Sequence, residues 1–325
     1  MFVSRVNDEV RVETPAKVNL FLEVLSRRND GFHEIETLMA AISIYDTLIF
    51  SENSENEVRL GCAWAAGWQA QENSRSSSRL RESLDSGYGD LPQGSDNLVV
   101  RALETLRRRA GVDRGVTVQL VKRIPSAAGL GGGSSDAAAA LIAANDLWQL
   151  HWTRNQLQEV AAELGSDIAY FLGSPTAICR GRGERLEAVD RFTQLHLVIV
   201  KPPFGLSTAE VYQQCQPAKT ARSPTALLQC GRIGDLGGVG LHLFNRLERS
   251  AQTLTPWIDR MKNVFDRFDF VGHQMTGSGT SYFGICHNAY HARRTAAAVR
   301  SEHLGRVFCA STLTLHAFPL SASPP

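Results

Sequence analysis

The sequence predicts an α+β protein of two domains, and three observations carry that prediction. At 325 residues the chain is long enough for about two domains with a core each. In the first half, residues 1–188, runs rich in Val, Ile and Phe alternate with helical patterns. In the second, residues 189–325, helical segments follow strands joined by a tight glycine turn, the pattern of helices packed on one side of antiparallel strands.

The elements follow in order. Residues 10–25, "VRVETPAKVNLFLEVL", read as two short strands interrupted at Pro15, and residues 40–50, "AAISIYDTLIF", as another strand. Residues 62–94 have no sustained period and a Ser/Arg-rich middle with a serine run at 76–78. They read as a solvated, flexible insertion, with Trp64 and Trp68 anchoring its near end. "DNLVVRALETLRRRAG" puts Leu98, Ala102, Leu103 and Leu106 on one helical face and Gly111 at its stop. "GVTVQLVKRIP" is a strand by alternation. Helices are expected over 134–148 and 153–164. "LHLVIVKPP" opens the second half as a buried strand. Leu243, Leu247, Leu254, Ile258, Met261 and Phe265 then recur at helical intervals broken at Pro256. "FVGHQMTGSGTSYFGIC" reads as strand, glycine loop, strand, before a helix in "AYHARRTAAAVRSEH" and a strand at "RVFCAS".

Bulk properties exclude several classes. Hydrophobic content of 43% and charged content of 21% fit a soluble globular chain. A net charge of +1 gives no case for a nucleic-acid or membrane partner. Six cysteines with no CxxC pair fit reduced thiols in the cytosol. The first residues lack a signal peptide's apolar stretch, and no apolar run approaches the ~20 residues of a membrane span. The expectation is a soluble, cytoplasmic protein, its oligomeric state left open.

The chemistry is concentrated in "PSAAGLGGGSSDAAAAL", residues 125–141. Strand, glycine run, then helix is the context in which main-chain N–H groups converge on an anion, aided by the helix dipole. Ser134 and Ser135 add hydroxyls that can cap the helix, touch phosphate or help hold Mg²⁺. The lysine of a Walker A loop is missing, and Ser134 stands where a dinucleotide fingerprint needs glycine. A glycine turn that merely lets a helix pack closely on a strand is the competing reading.

This stretch resembles the ATP loop of the GHMP kinases. "TPAKVNLFLEVLSRRNDGFHEIETLM" (14–39) and "MTGSGTSYFGIC" (275–286) resemble the superfamily's N-terminal and third motifs, in family order. "GSDNLVVRA", "LGSDIAYFL" and "CRGRGERL" match as well, and the first long motif narrows the likeness to the branch acting on a cytidine-diphosphate-linked methylerythritol. The resemblance spans most of the chain apart from 62–94. It implies a ribosomal-protein-S5-like N-terminal domain, a ferredoxin-like C-terminal domain, ATP and Mg²⁺ as cofactors, and transfer of the γ-phosphate to the substrate's 2-hydroxyl in the non-mevalonate route to isoprenoid precursors.

Roles follow from the resemblance residue by residue. Asp167 would accept the hydroxyl proton; taken alone it reads as the cap of a short helix. Lys17 would balance that carboxylate and the charge developing on phosphate; taken alone it is a surface lysine. Asn19 would face the substrate. Phe32, which stands where tyrosine is commoner in the family, and Tyr212 would stack on the base, with His33 at its edge. Pro125, Ser126, Ala127, Ala128, Gly129, Leu130, Gly131, Gly132, Gly133, Ser134 and Ser135 would cradle ATP, with Asn97 and Lys122 near the adenine and Ser135 a contact for Mg²⁺. Gly277, Ser278 and Gly279 would bring a second main-chain turn to the substrate phosphates. Ala169 stands where the family often has proline. Homoserine or mevalonate kinases are the nearest rivals, and "DGFH" with Tyr212 argues against them, because a small aliphatic alcohol has no base to stack. A non-catalytic nucleotide-binding relative is disfavoured by the joint presence of Lys17 and Asp167. Cys286, His287 and His291 in "CHNAYH" form a further metal-like spacing without a nearby fourth ligand.

Overall fold

The structure, a computed structural model, describes residues 1–66, 91–92, 94–217 and 219–315. Two sheets organise it. The first, of eight strands, contains β1 (Phe2–Val6), β2 (Glu9–Arg27), β3 (His33–Asn53), β4 (Val58–Trp64), β5 (Gly115–Lys122), β6 (Thr176–Gly181), β7 (Arg185–Ala188) and β9 (Phe244–Asn245). Its main path runs β1-β2-β3-β5-β4, and β6 pairs with the other end of β3. The second holds β8 (His196–Lys201), β10 (Gly272–Met275), β11 (Tyr282–Cys286) and β12 (Arg306–Ser311) in the order β10-β11-β8-β12, all antiparallel. With helices between β8 and β10 and between β11 and β12, this is the ferredoxin-like split βαβ arrangement.

The helices are α1 (Leu98–Ala110), α2 (Gly132–Leu147), α3 (Arg154–Leu164) and α4 (Ile168–Phe171), then α5 (Thr208–Gln214), α6 (Thr225–Ile233) and α7 (Leu236–Leu241), and finally α8 (Arg246–Leu254), α9 (Trp257–Phe265) and α10 (Ala289–Arg300). Helix α2 is buried nearly all round, and Ala137–Ala140, Ala143 and Ala144 let it sit close against the first sheet. Leu98 opens α1, and Val99, Ala102, Leu103 and Leu106 are its buried face; Gly111 ends it in the left-handed conformation (φ 63°).

Four expectations change in detail. Residues 10–25 lie within one continuous strand, because Pro15 is absorbed by a register shift between Pro15 and Ala16 rather than ending the strand. Cys62, Ala63 and Trp64 belong to β4, parallel to β5, so the irregular segment starts after them; residues 67–90 and 93, with Trp68 and the serine run, lie outside the described residues. Helix α2 starts at Gly132, inside the glycine run. Leu243 precedes the short β9, so the helical pattern begins only at Arg246.

Strand β9 pairs in parallel with β2 at Phe21 and Leu22. Beside it the buried Glu23 carboxylate accepts hydrogen bonds from Arg246 at 2.7 and 2.8 Å and from the Arg222 N–H at 2.9 Å. The later part of the chain is thereby fastened to the strand that carries Lys17 and Asn19.

Candidate active site

A cavity of about 1190 Å³ lies where β2, the loop 125–131, the loop 277–279 and α5 converge. That exceeds the roughly 300–1,000 Å³ of a pocket for one drug-sized ligand, so two substrates have room side by side. Of the residues expected at the site, all line it except Leu130 and Ser135.

Its floor is Lys17. The side chain is 4% exposed on β2, and its Nζ lies 3.4 Å from Asp167 Oδ2 and donates to Asn19 Oδ1 at 2.7 Å. Alternation along the strand puts Lys17 and Asn19 on one face. Asp167 precedes α4 yet makes no capping hydrogen bond, so the reading of it as a helix cap falls away. Its carboxylate is one-third exposed to the cavity and stands against the ammonium.

The glycine loop is tied to this floor by its backbone. Lys17 N–H donates to Leu130 O at 3.0 Å, and the Leu130 side chain is buried in the apolar core rather than lining the cavity. Gly131 has φ 71°, and a Cβ there would stand 3.0 Å from Lys17 Cγ and from Phe171 Cζ. Gly129 has φ 73°, and its Cβ would meet Thr276 O at 2.2 Å. Only glycine allows that conformation and that approach together. Ser281 N–H also donates to Ala128 O at 3.2 Å, so the loops 125–131 and 276–281 form one continuous main-chain surface. Asn245, 7% exposed, holds the second loop by donating to Met275 O and Gly277 O at 2.9 and 2.8 Å. Ser278 Oγ lies 2.9 Å from Thr208 Oγ1.

Three expected nucleotide contacts have their polar atoms engaged within the protein. Ser135 is fully buried; its hydroxyl donates to Pro15 O at 2.6 Å and meets Thr14, so it anchors α2 to β2 and is spent as a metal contact. Asn97 caps α1, accepting from Val99 N–H at 2.9 Å and donating to Pro92 O at 2.6 Å; its polar atoms are committed, although it lines the cavity. Lys122 lines the cavity too, but its Nζ is held between Asp46 and Asp136, 2.6 Å from the latter, and is not free to reach a base. Burial opposes the Lys122 charge, yet the two carboxylates outweigh it and hold its pKa above the ordinary lysine value. Burial, with the Asp46 charge, pushes Asp136 up to about 8 against the pull of Lys122. Asp46 Oδ1 accepts from Ile124 N–H at 2.9 Å and also from Arg123 N–H, so the cluster fixes the exit from β5 into the glycine loop.

At the opposite end of the cavity Phe32 is 51% exposed, with the Arg182 guanidinium 4.9 Å above its ring. The His33 and Tyr212 rings stand 5.2 Å apart at 36°. Burial, then the Arg27 charge, lowers the His33 pKa, so its ring is neutral at pH 7. Residues that sequence reasoning passed over include Arg182, Thr208, Thr276, Asn245 and the Asp46–Asp136 pair. Asp46, Asp136 and Asn245 each stand beside an apolar run, whereas Arg182, Thr208 and Thr276 lie in polar or glycine-containing stretches with no separate signal of their own. His287 and His291 stack at 5.1 Å, with Asp269 3.3 Å from His287 Nε2, and among the described residues no three His, Cys, Asp or Glu are grouped to hold a metal. All six cysteines are free thiols. No helix among the described residues is long and apolar enough to cross a membrane.

Two interlocked glycine loops over a lysine–aspartate floor, between an eight-stranded and a ferredoxin-like sheet, define a class. The profiles of the GHMP kinases N terminal domain and the GHMP kinases C terminal match residues 97–174 and 226–304. A solved homoserine kinase from Cytophaga hutchinsonii shares the fold, with a TM-score of 0.69 at 18% identity over 97% of each chain. A crystal structure of 4-(cytidine 5'-diphospho)-2C-methyl-D-erythritol kinase superposes with a TM-score of 0.72 at 32% identity, covering 93% of this chain and 98% of that one. The 4-diphosphocytidyl-2-C-methyl-D-erythritol kinase of Pelotomaculum thermopropionicum is 39% identical over 287 residues, 88% of this chain and 92% of its own. The chain belongs to the 4-diphosphocytidyl-2-C-methyl-D-erythritol kinase family of GHMP kinases.

Proposed function

We propose that this chain transfers the γ-phosphate of ATP to the 2-hydroxyl of 4-diphosphocytidyl-2-C-methyl-D-erythritol, in the non-mevalonate route to isoprenoid precursors. The observation that carries the reading is the Lys17–Asp167 pair, 3.4 Å apart on the floor where the glycine loops meet the arm lined by Phe32, His33 and Tyr212. Asp167 accepts the proton of the attacking hydroxyl. Lys17, buried and directed by Asn19, offsets charge building on the transferred group. Residues 125–134 and 277–279 present main-chain N–H groups to the phosphates. The cytosine lies against Tyr212 and Phe32, and the neutral His33 ring meets its edge.

Mg²⁺ enters with ATP. Ser135 is spent; a Mg²⁺ arriving on the triphosphate would neutralise phosphate charge. We place the domain boundary at 188/189, with β9 crossing back to the first sheet, and the protein in the cytoplasm.

The test is ADP release by the purified protein with MgATP and, in parallel, the cytidine substrate, homoserine and mevalonate. Turnover confined to the cytidine compound and lost in Asp167→Asn is expected. Turnover with an aliphatic alcohol alone would discard the base pocket. ATP binding without any turnover would favour a non-catalytic relative.

A further inference from the structure

The Lys17 ammonium is aimed by Asn19, so what aims Asn19 matters. An asparagine amide can present either its oxygen or its NH₂ in a given direction, and only its neighbours decide which. Here Thr37 decides. Its hydroxyl donates to Phe21 O at 2.6 Å, a carbonyl that can only accept. With its proton so used, Thr37 Oγ1 can only accept from Asn19, 2.8 Å away, so the amide must turn its NH₂ toward Thr37. Its Oδ1 is thereby left facing Lys17 Nζ at 2.7 Å, where an ammonium can only donate. A flipped amide would set NH₂ against NH₃⁺ and leave Thr37 facing an oxygen with no proton to share.

The later half of the chain locks the same residue from the other side. Asn19 N–H donates to Thr276 Oγ1 at 2.9 Å, and Gln274 Nε2 donates to Asn19 O at 2.9 Å. Thr37 and Asn19 are 0% and 1% exposed, and Thr37 does not line the cavity, so it acts only through Asn19.

We propose that Thr37 is a positioning residue for phosphoryl transfer: it fixes the orientation of the Asn19 amide and so holds the Lys17 ammonium toward Asp167. This rests on the reading of Lys17 and Asp167 given above. Valine matches the shape of threonine without the hydroxyl. Thr37→Val therefore lowers kcat about ten- to a hundredfold, the cost of leaving the buried Asn19 NH₂ without its acceptor, while KM for both substrates stays within about threefold. Thr37→Ser, which keeps the hydroxyl, restores kcat to within about threefold of the parent. If Thr37→Val does not fold, the contrast moves to Thr37→Ser against Thr37→Ala, which differ only in that hydroxyl. Asp167→Asn with Thr37→Val loses less than the product of the two single effects, because both act on one pair. Unchanged kcat in Thr37→Val, or a serine variant as impaired as the valine one, overturns the proposal. So does a rise in KM alone. Lys17→Met is measured alongside. Its full retention of kcat would sink the underlying assignment and this proposal with it, whereas its loss beside an unimpaired Thr37→Val would sink this proposal alone.

Discussion

The two ends of the cavity are built to different tolerances. At the phosphoryl-transfer end Lys17 is held by Asn19, Asp167 and a backbone bond to Leu130, and the glycine loops by each other. At the base end Phe32 is half in solvent, and His33 and Tyr212 meet only at a tilt. Chemistry needs reacting groups placed within a fraction of an ångström, while stacking on a base needs only a flat surface.

The largest effects should come from the rigid end. Asp167→Asn removes the proton acceptor and keeps the shape; kcat is expected to fall about 10²–10⁴-fold with KM for ATP within a few fold, read by steady-state ADP release. A loss below about tenfold would remove Asp167 from the proton path. Next comes Gly129→Ala. Its Cβ would stand 2.2 Å from Thr276 O at φ 73°, combining backbone strain with overpacking, each about 1–3 kcal/mol. Urea unfolding should show that destabilisation, and titration with an ATP analogue should show weakened binding. A variant with parental stability and affinity would mean that the contact between the two loops is dispensable.

Much of this was legible from the residues. The helix face of α1, the existence of α2, the glycine run and the strand–loop–strand at 275–286 follow from period and composition, because local geometry dictates those patterns. The floor of the site was partly legible: Lys17 and Asp167 lie 150 positions apart, and only motif resemblance joined them. What stayed hidden has a physical cause. Asn97 and Lys122 were expected as nucleotide contacts from the resemblance, and Ser135 from its place at the helix start. Each is instead consumed by a partner distant in sequence or by a helix end, and hydrogen-bond partners carry no periodic signature. Pro15 misled for a related reason: β1 pairs with β2 only as far as Glu13, so Pro15 sits at a register shift with β3 on one side and, among the described residues, no strand pairing on the other, where a missing N–H costs no ladder bond.

The Asp46–Lys122–Asp136 cluster sharpens the comparison, because the rigid end carries a cost. Asp136 is buried and one of its oxygens lacks a hydrogen-bond partner among the described residues. With its pKa raised from 3.8 to about 8, the folded state retains a proton that the unfolded chain has released between those values. Stability contributed by that proton is therefore lost as pH rises through the window, by at most about 1.4 kcal/mol per pH unit. Asp136→Asn removes the titration. Urea melts at pH 5, 6 and 7 should show the parent losing stability relative to the variant as pH rises. Parallel curves would mean that Asp136 is ionised throughout and the cluster carries a net negative charge beneath the phosphate loop.

The smallest effects belong to the base end, and they separate its two rings. Tyr212 is anchored on α5 and packed against His33, so Tyr212→Ala removes a fixed stacking surface. At about 1–3 kcal/mol per stacked base, KM for the cytidine substrate should rise roughly five- to a hundredfold, with KM for ATP unchanged. Phe32 sits on the turn between β2 and β3, more than half exposed beneath Arg182. Its truncation should cost less, because solvent and the guanidinium already compete for its faces. Phe32→Tyr should change KM by less than about threefold, since the ring is retained and an exposed hydroxyl can bond to water. The two rings are thus distinguishable by one set of KM values. If Phe32→Ala proves costlier than Tyr212→Ala, the turn must close over the base when substrate binds, and the looseness of this end belongs to the free protein alone.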